Sequence, residues 1–292
     1  MKSTNIGKWL AWAFLTALAF LWLFPVVWMI LNSFKTDADF ITSFSNIRGP
    51  LDYLSRLWPR VFTVVNYVEN LVGGEGANTT ANLPEMFKNS FIVSGSVTLL
   101  VVFITSLSAY AYERLEFPGG NAIFWTLMTV SMFPNAVSIL PMFRIATALN
   151  WVSSLNALIW PGLVGVFNIF LLRNFLKGIP KDFDEAARID GANSFQTYTR
   201  VIVPIMRPVM IVVGLFAFTG TWNDFVWPSI IMTDVSKQVL TAGLRLLMGQ
   251  YEQKWAHLIA ACLMSMVPPL LLYLVAQRYF LQGISIGSGV KG

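Results

Sequence analysis

Residues 182–208 read DFDEAARIDGANSFQTYTRVIVPIMRP, a polar stretch set between two long apolar runs. Pro180 has no N–H to donate, so the apolar run before it cannot continue smoothly as helix. Asp182 is placed to cap a new helix, and Glu185 three residues on completes a D-x-x-E form of the capping box. Ala186 and Ala187 leave this helix bare of bulk, Arg188 suits its C-terminal end, and Gly191 supplies the conformation that stops it. A helix of about two turns does not persist alone in water, so it must pack on its own chain or on another. Beyond Gly191, the stretch Ser194 to Val203 puts Phe195, Tyr198 and Ile202 on one face, and Pro204 and Pro208 turn the chain back towards the next apolar run. The prediction is a helix-turn-helix lying across a membrane surface. A helix resting on lipid headgroups would carry a more cationic polar face. Here Asp182, Asp184, Glu185 and Asp190 sit among the bases, which favours a soluble protein partner.

Working outward, composition places this stretch in a polytopic membrane protein. Of 292 residues, 55% are hydrophobic and 12% charged, with mean hydropathy +0.61, whereas a soluble domain has about a quarter charged residues. The formal charge of +5 does not point to nucleic acid, because the basic residues are scattered without an aromatic-basic stripe; cytoplasmic anchoring accounts for them. The single cysteine, Cys262, lies in an apolar run and has no partner for a disulfide or a CxxC site. The N-terminal MKSTNIGKWLAWAFLTALAF is basic then apolar like a signal peptide, but the apolar run is too long and lacks a small-residue cleavage site, so it reads as a retained span.

A bilayer needs about 20 apolar residues per helix, and the chain supplies six such runs: Trp9 to Leu31, Asn89 to Tyr112, Ala122 to Ile145, Leu155 to Leu176, Val209 to Met232 and Leu258 to Leu281. The fold class is therefore all-α, a six-span helix bundle with a short helix outside the membrane. Pro134 and Pro141, Pro161, and Pro268-Pro269 predict kinks in the third, fourth and sixth spans. Basic residues of short segments set the orientation. Arg114, Arg173, Lys177, Lys181, Arg188, Arg200 and Arg207 fall inside if both termini are cytoplasmic, while several opposing bases lie in one long loop. This places loop 177–208 and tail 282–292 in the cytoplasm and loop 33–87 outside. The first span, 9–31, then stands apart from a five-span core, 89–281. The long loop is expected to carry short helices. Its Asn78-Thr79-Thr80 fits a glycosylation sequon, a three-residue match given no weight. In the second outer segment, Leu240, Leu244, Leu247 and Met248 recur at helical spacing, which fits either a face packed on the bundle or a ligand surface. Both outer segments offer docking surfaces.

Catalysis finds no support in the motifs. The chain lacks GxxxxGK[ST], so it holds no phosphate cradle. One His and one Cys do not make a metal centre. Ser94, Ser96 and His257 are the raw materials of an intramembrane serine hydrolase, but His257 lies at a span edge without a local signature.

The string EAARIDGANSFQTYTRVIVP resembles the Glu-Ala-Ala loop of binding-protein-dependent ATP-binding-cassette importer permeases, with Gly191 in place and Val201 and Val203 where Ile and Leu are usual. Further likeness runs through Asn66-Tyr67, Asn89-Ser90, AYAYERLEFPG at 109–119, IFLLRNFLKGIPKDFDEAA at 169–187, TWNDFVWP at 221–228 and the terminal QRYFLQGISIGSGVKG. The chain is identified as similar to the carbohydrate-uptake permeases of the maltose type. The resemblance implies a type I importer permease fold in a bacterial or archaeal cytoplasmic (inner) membrane. It implies a homologous second permease, two ATPase subunits that bind the ATP and Mg absent from this chain's own chemistry, and an external solute-binding protein delivering a sugar. Carried over by position, Glu185, Ala186, Ala187, Asp190 and Gly191 form the ATPase contact. The tail SIGSGVKG is similar to one that reaches the ATPase pair, or is a frayed end. For the sugar path the candidates are Trp222, Asn223 and Asp224 at the outer end of the fifth span, with Asn135 and Asn168. Polar groups beside tryptophan suit sugar stacking, but an aromatic belt with a locally satisfied Asn-Asp pair fits these residues better. A permease for a peptide or polyol, or an intramembrane enzyme, are the alternatives.

Overall fold

The computed structural model describes residues 5–72, 82–115, 117–248 and 254–288. The sequon Asn78-Thr79-Thr80 and the last residues of the tail, 289–292, lie outside them. The described chain is helical: α1 Asn5–Ser33, α2 Asp37–Phe44, α3 Pro50–Ser55, α4 Val65–Val72, α5 Leu83–Arg114, α6 Gly120–Ser131, α7 Asn135–Ala148, α8 Asn156–Ile159, α9 Val166–Lys177, α10 Asp182–Ile189, α11 Ser194–Thr197, α12 Val203–Trp222, α13 Val226–Ile231, α14 Leu240–Gly243 and α15 Trp255–Ser288. Four apolar helices are long enough to span a bilayer unbroken: Gly7–Ser33, Leu83–Arg114, Ser194–Ile231 and Trp255–Tyr279. The remaining two expected spans are bent pairs, α6 with α7 at 99°, and Asn156–Leu163 with α9 at 40°. The 99° bend far exceeds an ordinary kink. Pro134 disfavours helical backbone at Phe133 and itself sits at ψ 127, so one helix ends and another begins.

The chain divides into two compact units, Met1–Pro84 with Gly243–Met266, and Glu85–Ala242 with Val267–Gly292. In the first, the long loop carries α2, α3 and α4, as its length predicts. Its centre is Lys35, 1% exposed, whose ammonium donates to Ser43 Oγ at 3.0 Å and to the Arg56 carbonyl at 2.7 Å. Burial pulls the Lys35 pKa down, against the nearby Asp39 charge that raises it. The buried Asn66 donates to the carbonyls of Ser33 and Lys35, both at 2.7 Å, and Tyr67 OH meets Ser33 Oγ at 2.7 Å. Asn66-Tyr67 thus binds α4 to the end of α1. The start of α15 is held similarly, with the Ala256 N–H donating to Asp37 Oδ1 at 3.0 Å and His257 lying between Asp37 and Glu69.

In the second unit, Val93, Val97 and Val101 of α5 pack with Leu172 and Leu176 of α9 and with Ile202, Met206, Val209 and Val213. Their steps of three and four residues are the helical period, so each helix turns one stripe to this core. Close approach is part of it: a Cβ on Gly214 would stand 3.4 Å from Val102 and 3.5 Å from Thr98. Asn89 donates to the Gln238 carbonyl at 3.0 Å, and Ser90 Oγ accepts from the Leu240 N–H at 2.7 Å. The expected stripe in the second outer segment splits accordingly. Leu240 is fully buried, whereas the chain then breaks into a 3-10 turn, Leu244–Leu247, and Met248 is exposed.

Residues 177–208 differ from expectation at two places. Asp182 does not cap a helix and the D-x-x-E box does not form: Lys181 already has helical backbone, φ −70 and ψ −14, with no side-chain cap bond. Asp182 is thereby inside the first turn, where its carboxylate aids the helix dipole. A capping box forms instead at Asn193, whose Oδ1 accepts from the Gln196 N–H at 2.9 Å while Gln196 Oε1 accepts from the Asn193 N–H at 3.0 Å. Nor does Pro204 turn the chain. A π-turn, Tyr198–Ile202, joins α11 to α12, with Pro204 in the first turn of α12, where its missing N–H goes unmissed. The second short helix is therefore the beginning of the fifth span and not a separate surface helix. Gly191 behaves as expected. At φ +82 it carries the Schellman bonds of α10, its N–H to the Arg188 carbonyl at 3.0 Å and the Ala192 N–H to the Ala187 carbonyl at 2.9 Å.

No atom lies within 4 Å of a Cβ built on Gly191, so Gly191→Ala meets only left-handed strain, about 1–2 kcal/mol. Hydrogen exchange at amides 190–192 should accelerate roughly 5- to 30-fold, with Gly191→Asn less affected; exchange unchanged by alanine would contradict the role given to φ. At Asp37, burial pushes the carboxyl up, but the His257 side chain, the Ala256 N–H and the charges of His257 and Lys254 together take it below its ordinary value. A depressed carboxylate contributes stability that is present above its unfolded pKa and lost as pH falls through the folded one. Protection of the Ala256 amide should thus hold from neutrality to about pH 4 and fall below it; Asp37→Asn should remove this dependence.

Candidate coupling site

The inner face of α10 is set by Asp184 and Ala187, its two buried residues. The other face, including Glu185, Ala186, Ile189 and Asp190, is exposed. Between α10 and the start of the helix running through α11 lies an open cleft of about 540 Å³, lined among others by Phe183, Ala186, Ala187, Asp190, Gly191 and Arg200. Four of the five residues expected at the contact therefore share one recess, and Glu185 stands exposed on the same short helix. The alanines keep the floor low and the Schellman turn fixes its far wall. Apolar side chains stand unprotected on the same two helices: Ile189 is 86% exposed, Phe195 66% and Phe183, in the cleft lining, 49%. Ile189 carries no signal in the sequence beyond being apolar in a polar loop. Of the face expected on the second helix, Tyr198 and Ile202 point into the core and Phe195 points out.

The cleft is anchored by one stripe of α5. Ser106 Oγ meets Tyr198 OH at 2.8 Å and Tyr110 OH donates to the Ser194 carbonyl at 3.2 Å, holding α11 and the π-turn. One turn on, Glu113 Oε2 accepts from Arg173 Nε at 3.0 Å; Arg173 also donates to Asn121 Oδ1 at 2.7 Å and lies 4.3 Å from the centre of the Phe124 ring. Arg114 Nε stands 3.2 Å from Asp184 Oδ2, and its Nη2 donates to the carbonyls of Leu176 at 3.2 Å and Ile179 at 2.8 Å. Residues 106, 110, 113 and 114 share a helical face. Sequence reading passed over Asp184, Arg114, Glu113 and Arg173 as paired groups, since nothing local couples residues 60 or more positions apart.

The residues expected along the solute path are arranged differently. Trp222 is 2% exposed, stacked on Phe218 at 5.4 Å with Phe91 at 4.9 Å edge-on. Its neighbour Asn223 ends α12 and is exposed, while the Asp224 carboxylate accepts backbone N–H groups of Trp227, Val226 and Phe225 at the start of α13. Asn135 is the first residue of α7, exposed at the 99° bend. Asn168 lies in the first turn of α9 beside the other bend, and its Nδ2 would stand 2.6 Å from any Cβ on Gly165. These five do not form one cluster: three sit at one helix end with different surroundings, and each of the other two marks a bent span.

Comparison with known proteins agrees with this architecture over almost the whole chain. The trehalose/maltose transport system permease protein MalG of Thermococcus litoralis is 33% identical over 279 residues, 94% of each chain. The diacetylchitobiose uptake system permease protein NgcG of Streptomyces coelicolor is 31% identical over 280 residues, 93% of this chain and 87% of that one. Among solved structures, a chain of a bacterial ABC transporter involved in the import of the acidic polysaccharide alginate superposes with a TM-score of 0.80 over 96% of this chain and 98% of its own, at 20% identity, a likeness of fold. The pattern of the binding-protein-dependent transport system inner membrane components matches residues 104–286, including α10, its cleft and the α5 stripe. With six apolar segments and this match across its core, the chain is a multi-pass membrane protein that belongs to the family of binding-protein-dependent transport system inner membrane components, a transport subunit and not an enzyme.

Proposed function

We propose that this chain forms half of the translocation path of an ATP-binding-cassette importer for a sugar or oligosaccharide. A homologous second permease supplies the other half, and an external solute-binding protein delivers the sugar to segments 33–87 and 233–257. Two ATPase subunits, which bind ATP and Mg, receive α10, so the α10 side and both termini face the cytoplasm. The observation that carries this reading is the exposed, acid-bearing face of α10 over its 540 Å³ cleft. A rigid two-turn helix with bare alanines and an outward Ile189 is shaped to enter a groove on a soluble protein. Glu185, Ala186, Ala187, Asp190 and Gly191 make that contact, Glu185 through a basic residue of the ATPase. Sugar as the solute rests on what the relatives carry, trehalose or maltose and diacetylchitobiose by name. Asn135, Asn168 and Asn223 offer amides to its hydroxyls, while Trp222 and Asp224 shape the path from behind.

Affinity purification of the tagged chain from its own host tests this directly. It should bring down an ATPase and a second permease, and Glu185→Ala should weaken ATPase retention. A lost charge-assisted contact of about 1.5–3 kcal/mol is roughly a tenfold or larger loss of affinity. Uptake driven by the cognate external solute-binding protein should fall with it. Full uptake by Glu185→Ala in an intact complex would remove the coupling role, and a binding protein selective for peptides or polyols would remove the sugar.

A further inference from the structure

We infer that the adjacent residues Glu113 and Arg114, at the end of α5, are the joint through which movement of α10 reaches the membrane spans, with Arg114–Asp184 as its positioning pair. The inference rests on the coupling role proposed for α10.

The geometry has three parts. First, Asp184 is on the face of α10 opposite the exposed Glu185–Ile189 ridge, so it does not serve the partner contact; it is 8% exposed and meets Arg114 inside the protein. Second, Arg114 does not hold α10 alone. Its bonds to the carbonyls of Leu176 and Ile179 fasten the end of α9, and Glu113 grips Arg173 of α9, which holds Asn121 in α6 and lies against Phe124. Two successive residues thus connect α10 to parts of three apolar segments, α5, α6 and α9. Third, the pair is poorly made for stability alone. The charges stand at 3.2 Å, yet neither Asp184 oxygen nor Arg114 Nε has an aligned hydrogen-bond partner. A buried ion pair with incomplete hydrogen bonding is a poor stabiliser compared with apolar packing, and buried unsatisfied groups in a native structure call for a reason. A link that must stay joined while α10 and α5 realign is such a reason: charge attraction tolerates a change of angle that a close-packed apolar contact does not. The α5 stripe adds a second attachment through Ser106 and Tyr110 to the far side of the cleft, so α10 moves against α5 about a fixed wall.

The test uses the complete complex in lipid nanodiscs, with hydrogen exchange followed by mass spectrometry before and after trapping with ATP, Mg and orthovanadate. In the wild type, trapping should change exchange in α10 and also in α5, α6 and α9. In Asp184→Asn, the α10 change should persist because the ATPase still grips it, while the changes in α6 and α9 fall about tenfold; Asp184→Glu should restore them. Arg114→Gln/Asp184→Asn, which leaves no lone charge buried, should behave like Asp184→Asn. Span responses within twofold of wild type in either variant overturn the inference. So does failure of both to assemble, which would make the pair a folding element only. If the wild-type complex shows no change in α10 on trapping, the coupling reading fails instead, and that outcome is visible before any variant is made.

Discussion

The second unit is organised by a permanent charge taken out of water. Arg114 carries a guanidinium, and at 8% exposure it must find its partners within the fold. It finds them in Asp184, in two carbonyls at the end of α9, and in the strand of contacts begun by its neighbour Glu113. The carbonyls matter as much as the carboxylate. The last turn of a helix leaves acceptors without intrahelical donors, and Arg114 satisfies two around the end of α9 while holding α10 beside it. A two-turn helix with only two buried residues has little apolar area with which to dock. Its position therefore depends on this arginine and on the turn at Gly191.

What the sequence revealed depended on the range of the interaction involved. The six apolar runs were legible because bilayer thickness sets a length and composition that needs no knowledge of neighbours. Gly191 was legible because few residues other than glycine accept φ near +82. The capping boxes show where this kind of reading stops. Asp182-x-x-Glu185 and Asn193-x-x-Gln196 have the same pattern, yet only the second forms. The difference is backbone: Asn193 is extended at φ −76 and ψ 168, so its side chain turns back to the Gln196 amide, while Lys181 is already helical and draws Asp182 inside the helix. The prolines make the same point. Pro134 accompanies a 99° bend, Pro141 lies within α7, and Pro204 sits where a π-turn has prepared a first turn for it. The pairs Arg114–Asp184 and Glu113–Arg173 were out of reach altogether, since their members meet only once the spans have packed.

Trp222, Asn223 and Asp224 carry a related lesson for the solute path. Read as a string, they resemble a compact recognition element, aromatic plus amide plus acid. In the fold they fall where α12 stops. The tryptophan completes the last inward-facing turn among Phe218 and Phe91, the asparagine is exposed, and the acid turns to the amides opening α13. A helix end disperses neighbours that a strand or a helix interior would have kept in register. Asn135 and Asn168 occupy a different kind of place, the bends of two apolar segments, where freed backbone groups in a membrane need polar company or water.

The two faces of α10 explain why a lipid surface suits this loop poorly. An amphipathic helix at rest on a bilayer turns apolar groups to the acyl chains and charge to water. In α10 the protein-facing side contains a carboxylate, Asp184, and the outward side contains Ile189, 86% exposed, one turn from Glu185. This arrangement departs from the usual one, with one charge turned in and a large apolar group standing among the charges turned out. Headgroups of an anionic leaflet would repel the acids that share the outward side, Asp182, Glu185 and Asp190. A groove on a soluble protein can meet both demands, covering the isoleucine with apolar wall and the acids with bases. On the coupling we propose, the inward carboxylate is the means by which a load applied to that outward face is carried back to Arg114.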